Sequence, residues 1–173
     1  MQAVGSRTKE RAEEWARVHV AKAVEEGHKI GVDAITCHGS YEDLLADKNV
    51  DAIYCPLPTA LHSEWAPKIA AAGKGMLVEK PVALSTLEYK AIAEEFRSRS
   101  LPLMDGVMFM HHERMGAIKQ IMEAAAGSGG LAGGATRISS GFSFPAGDEF
   151  LRSNIRTDPD LDALGALGDL GWY

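Results

Sequence analysis

Short apolar runs alternate with amphipathic stretches from Ala3 to Phe109, and this alternation limits the fold more than any other feature of the chain. Ala3-Val4, Ala34–Cys37, Ala52–Cys55 and Met76–Glu79 read as buried strands, and Leu103-Met104 with Val107-Met108-Phe109 frame one more. Between them lie helices with their own start and stop signals. Thr8 caps a helix from Lys9 to Glu26, Gly27 ends it, and its loose apolar stripe includes Ala12, Trp15, Ala16, Val18 and Val20. Ser40 caps a helix over Tyr41–Ala46, and a third runs from Ala60 to Ala72 and stops at Gly73. Ser85 and Glu88 form a capping box for a fourth. Strand and helix in this rhythm predict an α/β fold with a doubly wound parallel sheet.

In dinucleotide-binding sheets of this Rossmann-like kind the first strand lies mid-sheet, and its turn carries a glycine-rich loop that receives the pyrophosphate. No such loop precedes Ala3, so the expectation is a sheet that lacks its first strand. A GxGxxA pattern does occur at Gly127, Gly129, Gly130 and Ala132. It follows a helix and precedes a strand, the reverse of the context that gives the pattern its meaning, and reads as a connector. The expected organisation is an incomplete dinucleotide-binding domain over 1–126, a connector over 127–133, and the start of an α+β second domain over 134–173. That second part contains a strand at Gly134–Phe144, a polar, loop-like stretch from Phe150 to Leu164, and the beginning of a helix from Gly165. A lone strand and a helix stub cannot bury an apolar face, so the sequence reads as cut at both ends.

Composition narrows the partners. The 173 residues fit one domain or one domain and part of another, and 46% apolar content allows a core. The 18 basic and 24 acidic residues leave a net charge of −6, which argues against nucleic acid or an anionic membrane as the main partner. No apolar run approaches a membrane span, and the start has no long apolar leader segment. Cys37 and Cys55 lie in apolar surroundings without CxxC spacing, as buried thiols do. A cytoplasmic protein is the expectation. His111-His112 has the wrong spacing for two ligands on one helix face, so no metal is expected.

The residues with chemical potential sit at successive strand ends, which parallel topology would bring to one edge of the sheet. They are Ser6-Arg7, then Pro56-Leu57-Pro58-Thr59 with His62, then Glu79-Lys80-Pro81. Pro81 has no amide hydrogen and biases Lys80 away from helix, so the triplet is a turn. A lysine in such a turn can act as acid or base. At the Ala3-Val4 strand end, NAD readers usually carry an acidic residue for the ribose hydroxyls; Ser6-Arg7 with Arg11 one turn on suits the 2′-phosphate of NADP instead. The residues alone also admit plainer readings. Lys80 could be a surface lysine before a turn proline, Arg7 a solvated helix-start charge, His62 a hydrogen-bonded packing residue and Tyr173 a core aromatic.

Three segments in order carry a family resemblance: Glu79-Lys80-Pro81, Pro58-Thr59-x-x-His62 after Asp51-Ala-Ile-Tyr54, and Gly165-x-Leu-Gly-Asp169-x-Gly-x-Tyr173. The chain resembles the glucose-fructose oxidoreductase/inositol dehydrogenase/MocA family of nicotinamide-dependent oxidoreductases. Most members have His where this chain has Tyr173, and that departure is similar to the branch of dimeric dihydrodiol dehydrogenase and NADP-linked xylose dehydrogenases. Asp105-Gly106 and Phe142-Ser-Phe144 look like that branch too. The resemblance implies an NADP-dependent dehydrogenase acting on a sugar or vicinal-diol alcohol, with a homodimer as the intact protein. It implies Lys80, Tyr173 and Asp169 as the catalytic group, Lys80 and Tyr173 managing the hydroxyl proton. His62 and the Pro56–Thr59 turn would line the nicotinamide end, and Ser6, Arg7, Arg11, Leu57 and Glu79 complete the expected cofactor contacts. The competing reading is a cofactor-free remnant that acts only as a binding or assembly module.

Overall fold

A computed structural model describes residues 2–127, 147–154, 157–160 and 162–171. Five strands alternate with helices through the first 105 residues: β1 (Ala3–Gly5), α1 (Lys9–Glu25), β2 (Thr36–His38), α2 (Tyr41–Ala46), β3 (Ala52–Cys55), α3 (His62–Ala71), β4 (Gly75–Val78), α4 (Thr86–Ser98) and β5 (Leu103–Asp105). Among the described residues three more helices follow: α5 (Arg114–Gly127), α6 (Asp148–Ser153) and α7 (Gly165–Leu170). The architecture is α/β and Rossmann-like, as the alternation predicts.

The strands form two separate ladders, β1-β2 and β3-β4-β5. β1 and β2 are parallel, with Ala3 opposite Thr36, Val4 opposite Cys37 and Gly5 opposite His38. In the second ladder Met76 N–H donates to Pro102 O at 3.0 Å, and Gly106 N–H to Val78 O at 2.7 Å. The paired positions climb together, which is the parallel arrangement. Among the described residues β1 pairs only with β2, and β3 only with β4. The break falls between β1 and β3, strands that the doubly wound order separates by a further strand.

The chain folds as two compact units. One comprises 1–55, 64–77 and 90–103, the other 56–63, 78–89 and 104–173. In the first, α1 buries Ala12, Ala16 and Val20, spaced one helical turn apart, and Ala16 and Val20 pack with Ile35, flanked by Val4, Ile30 and Cys37. Trp15, Val18 and Val24 remain largely exposed, so only part of the expected stripe is core. Thr8 Oγ1 accepts from Arg11 N–H at 3.3 Å and Ser40 Oγ from Asp43 N–H at 3.0 Å, the two caps read from the sequence. Gly27 and Gly73 take positive φ just beyond α1 and α3. At α4 the capping box is reciprocal but displaced: Ser85 Oγ accepts from Glu88 N–H at 3.2 Å, while the Glu88 carboxylate accepts from Leu84 N–H at 3.0 Å.

Three expectations need correction. The Ala34–Cys37 strand lies further along, at Thr36–His38, behind a 3-10 turn at Val32–Ala34. Val107-Met108-Phe109 is not strand: the chain turns at Gly106 and forms a 3-10 helix over Met108–His111. The loop-like stretch from Phe150 begins inside α6. The Gly134–Phe144 strand and all of the 127–133 connector beyond Gly127 lie outside the described residues.

A buried lysine and a half-buried aspartate in the first unit left no mark on the sequence reading. Lys74, 5% exposed, donates from Nζ to Asp47 O at 2.6 Å and also to Val50 O, so a cation satisfies carbonyls just past the end of α2. Asp47 itself accepts from Asn49 N–H at 2.9 Å on one oxygen and holds His38 Nε2 at 3.0 Å on the other. The Asn49 bond holds the Asp47 carboxyl below its ordinary value; burial opposes this, and the His38 contact reinforces it. A depressed carboxyl contributes stability that is fully present above its unfolded-state value and is lost as pH falls through its folded-state value. Asp47→Asn is therefore expected to destabilise the chain at neutral pH, with the gap to the wild type closing in acid below the ordinary aspartate value near 3.8. Thermal melts of both proteins from pH 7 downward check this; a gap that does not change with pH would contradict it.

Candidate active site

The second unit assembles the Glu79-Lys80-Pro81 turn. Beyond Val78, the last residue of β4, the chain passes through Glu79 into a cis peptide bond between Lys80 and Pro81. Lys80 Nζ donates to Asp169 Oδ1 at 2.6 Å and also to the main-chain oxygen of Asp169. The two side chains are only 10% and 17% exposed, so the ion pair is largely out of water. Such a pair costs more to break than one at the surface.

The approach that makes this pair possible is visible at Gly168. A Cβ there would lie 2.5 Å from Leu164 Cβ and 3.4 Å from Pro81 Cγ, so the position admits no side chain. Glycine lets α7 come up to the Pro81 turn and bring the next residue, Asp169, onto Lys80. Two of the three expected catalytic residues are thus in contact although 89 positions separate them. The third, Tyr173, lies outside the described residues.

His62 is placed differently from a residue that faces a ligand. It opens α3, is 0% exposed, and puts Nδ1 3.0 Å from Val82 O and Nε2 2.8 Å from Leu57 O. Both carbonyls belong to the expected site turns, one after β3 and one after β4. Thr59 beside it is buried, Leu57 and Pro58 are half-buried, and Pro56 is exposed. The Glu79 carboxylate lies against Gly106, where a Cβ would stand 3.2 Å from it.

Ser6, Arg7 and Arg11 belong to the other unit. Ser6 N–H donates to His38 O at 3.2 Å, which fixes the turn leaving β1, and Arg7 and Arg11 are exposed at the start of α1. Neighbouring cations on α1 are paired within the helix, Lys9 with Glu13 and Arg17 with Glu14. Among the described residues neither Arg7 nor Arg11 is ion-paired. Two guanidinium groups and a hydroxyl at a helix N-terminus form a donor set of the right chemistry for a phosphate. Elsewhere, no group of three His, Cys, Asp or Glu among the described residues could hold a metal ion, and no helix there is long and apolar enough to cross a membrane.

A Rossmann-like sheet with a largely buried lysine just past a strand end is the frame of a dinucleotide-binding domain. Residues 1–107 match the oxidoreductase family with the NAD-binding Rossmann fold, and the chain belongs to that glucose-fructose oxidoreductase/inositol dehydrogenase/MocA family. It is 33% identical over 171 residues to the dTDP-3,4-didehydro-2,6-dideoxy-α-D-glucose 3-reductase of Streptomyces violaceoruber, covering 99% of this chain and 43% of that protein. It is 35% identical over 138 residues to D-xylose 1-dehydrogenase (NADP(+)) 2 of Haloferax volcanii, covering 80% and 40%. Among solved structures, a 3-ketoreductase from Actinomadura kijaniata in complex with NADP and TDP-benzene superposes with a TM-score of 0.61 at 28% identity, over 72% of this chain and 34% of that one. The chain thus spans about two fifths of the length of the curated relatives it matches. Sugar-modifying reductases and dehydrogenases are its relatives; the nucleotide-sugar reductases among them are a group that the sequence reading did not name.

Proposed function

We propose that this chain is the cofactor-side part of an NADP-linked dehydrogenase or reductase acting on a sugar or vicinal-diol carbon. The observation that carries the reading is the largely buried Lys80–Asp169 pair just beyond β4. Its relatives' NADP-linked sugar chemistry supports the substrate class and the cofactor. NADP, when bound, gives or accepts a hydride at the nicotinamide C4. Lys80 holds the substrate oxygen and moves its proton, and Asp169 fixes where the ammonium stands. Tyr173 is the proposed acid or base beside the same hydroxyl. Ser6, Arg7 and Arg11 take the 2′-phosphate, and Pro56, Leu57 and Glu79 frame the nicotinamide end. Residues 1–126 form the dinucleotide part, and 134–173 open a second domain that would help to form the homodimer.

The deciding experiment is a cofactor-consumption screen of the longer protein with NADP(H) and NAD(H) against aldoses, vicinal diols and nucleotide-linked ketosugars. Turnover of any of these with a preference for NADP supports the reading, and no turnover with any of them rejects it. Within that reading, Arg7→Asp should weaken NADP binding about ten- to a hundredfold and spare NAD, because one charge-assisted contact is lost and a repulsion gained. Fluorescence titration with each cofactor measures this. Unchanged dissociation constants would remove Arg7 from the site.

A further inference from the structure

We propose that His62 is a positioning residue, a buried ring that ties the turn after β3 to the turn after β4 and so sets where Lys80 stands. Its two nitrogens each lie against a carbonyl oxygen, Val82 O at 3.0 Å from Nδ1 and Leu57 O at 2.8 Å from Nε2. The ring is 0% exposed, so its polar contacts come from the protein itself.

The tie has a direction. Leu57 lies in the turn that leaves β3, and Val82 follows Lys80-Pro81 in the turn that leaves β4. His62, between them at the first position of α3, cannot reach a ligand itself. It fixes the backbone two residues from Lys80, while Asp169 fixes the Lys80 ammonium. The sequence shows only a histidine three residues after Thr59; its double engagement comes from a carbonyl twenty positions away. The consequence for proton transfer rests on the oxidoreductase reading, whereas the bridge does not.

One measurement on the 173-residue chain tests it without cofactor or turnover. A lysine-selective acylating reagent, read peptide by peptide, should modify Lys80 about tenfold faster in His62→Phe, which fills the space but makes neither hydrogen bond. Lys74, buried in the other unit, should keep its rate. His62→Asn, which keeps a polar side chain, should lie between the two and decides the matter if the Phe variant does not fold. Unchanged Lys80 labelling, equal acceleration at Lys74 and Lys80, or loss of folding in both variants would each overturn the proposal. A failed substrate screen would leave the measurement standing.

Discussion

Lys80→Ala in the longer protein is expected to lower kcat/KM by about 10²–10⁴-fold, the usual contribution of a positioned acid or base. Stability should change far less. The substitution removes two donor contacts to Asp169, at a cost of about 1–3 kcal/mol. Against a typical total of about 5–15 kcal/mol the protein stays folded. The two effects separate by measurement: steady-state kinetics for the first, thermal melting of the same preparation for the second. A variant that keeps most of its catalytic efficiency would return Lys80 to the role of a structural ion-pair partner. One that loses activity only because it has unfolded would do the same. Lys80→Arg sharpens the comparison, since it keeps the charge and can keep the Asp169 pair but moves protons poorly.

The largest expected effect on stability belongs to Phe96. It lies on α4, is 1% exposed, and is among the largest fully buried side chains among the described residues. Phe96→Ala removes a whole ring from a close-packed place and is expected to cost about 3–5 kcal/mol, the lost transfer energy and the cavity together. Leu87 on the same helix is the internal control. At 80% exposure, Leu87→Ala should change stability by less than about 0.5 kcal/mol. Urea denaturation of both variants checks the pair, and similar midpoints would mean that α4 does not bury the face described.

What the sequence made legible was local. Thr8, Ser40 and the Ser85/Glu88 pair announced helix starts because a cap acts within three residues. Ala52–Cys55 and Tyr41–Ala46 were bounded correctly because turn residues flank both. The error at Thr36–His38 has a plain source: a short apolar run does not say where its hydrogen-bonded part begins. Val107–Phe109 failed similarly, since three apolar residues fit a 3-10 turn as well as a strand.

The candidate site was legible only in part, and for a different reason. Lys80 and Asp169 could be paired only through the family pattern, because no local rule joins residues so far apart in the chain. Lys74 sits between two glycines and reads as a surface lysine, yet it is buried on carbonyls of a distant loop. His62 was expected at the nicotinamide end, with a hydrogen-bonded packing role as the plainer reading, and the structure shows it hydrogen-bonded and packed. Whether a polar side chain faces a ligand or the core depends on what packs behind it, which a single sequence does not record.

The break between the two ladders bears on cooperativity. Each strand pairing in this chain is closed by a single helical crossover: β1 to β2 across α1, β3 to β4 across α3, and β4 to β5 across α4. Such contacts are near in sequence and can form early and separately. Among the described residues no ladder bond joins β1 to β3, so opening one ladder breaks no hydrogen bond of the other. Main-chain hydrogen bonds therefore leave the two ladders uncoupled, and whatever makes them open together acts through packing.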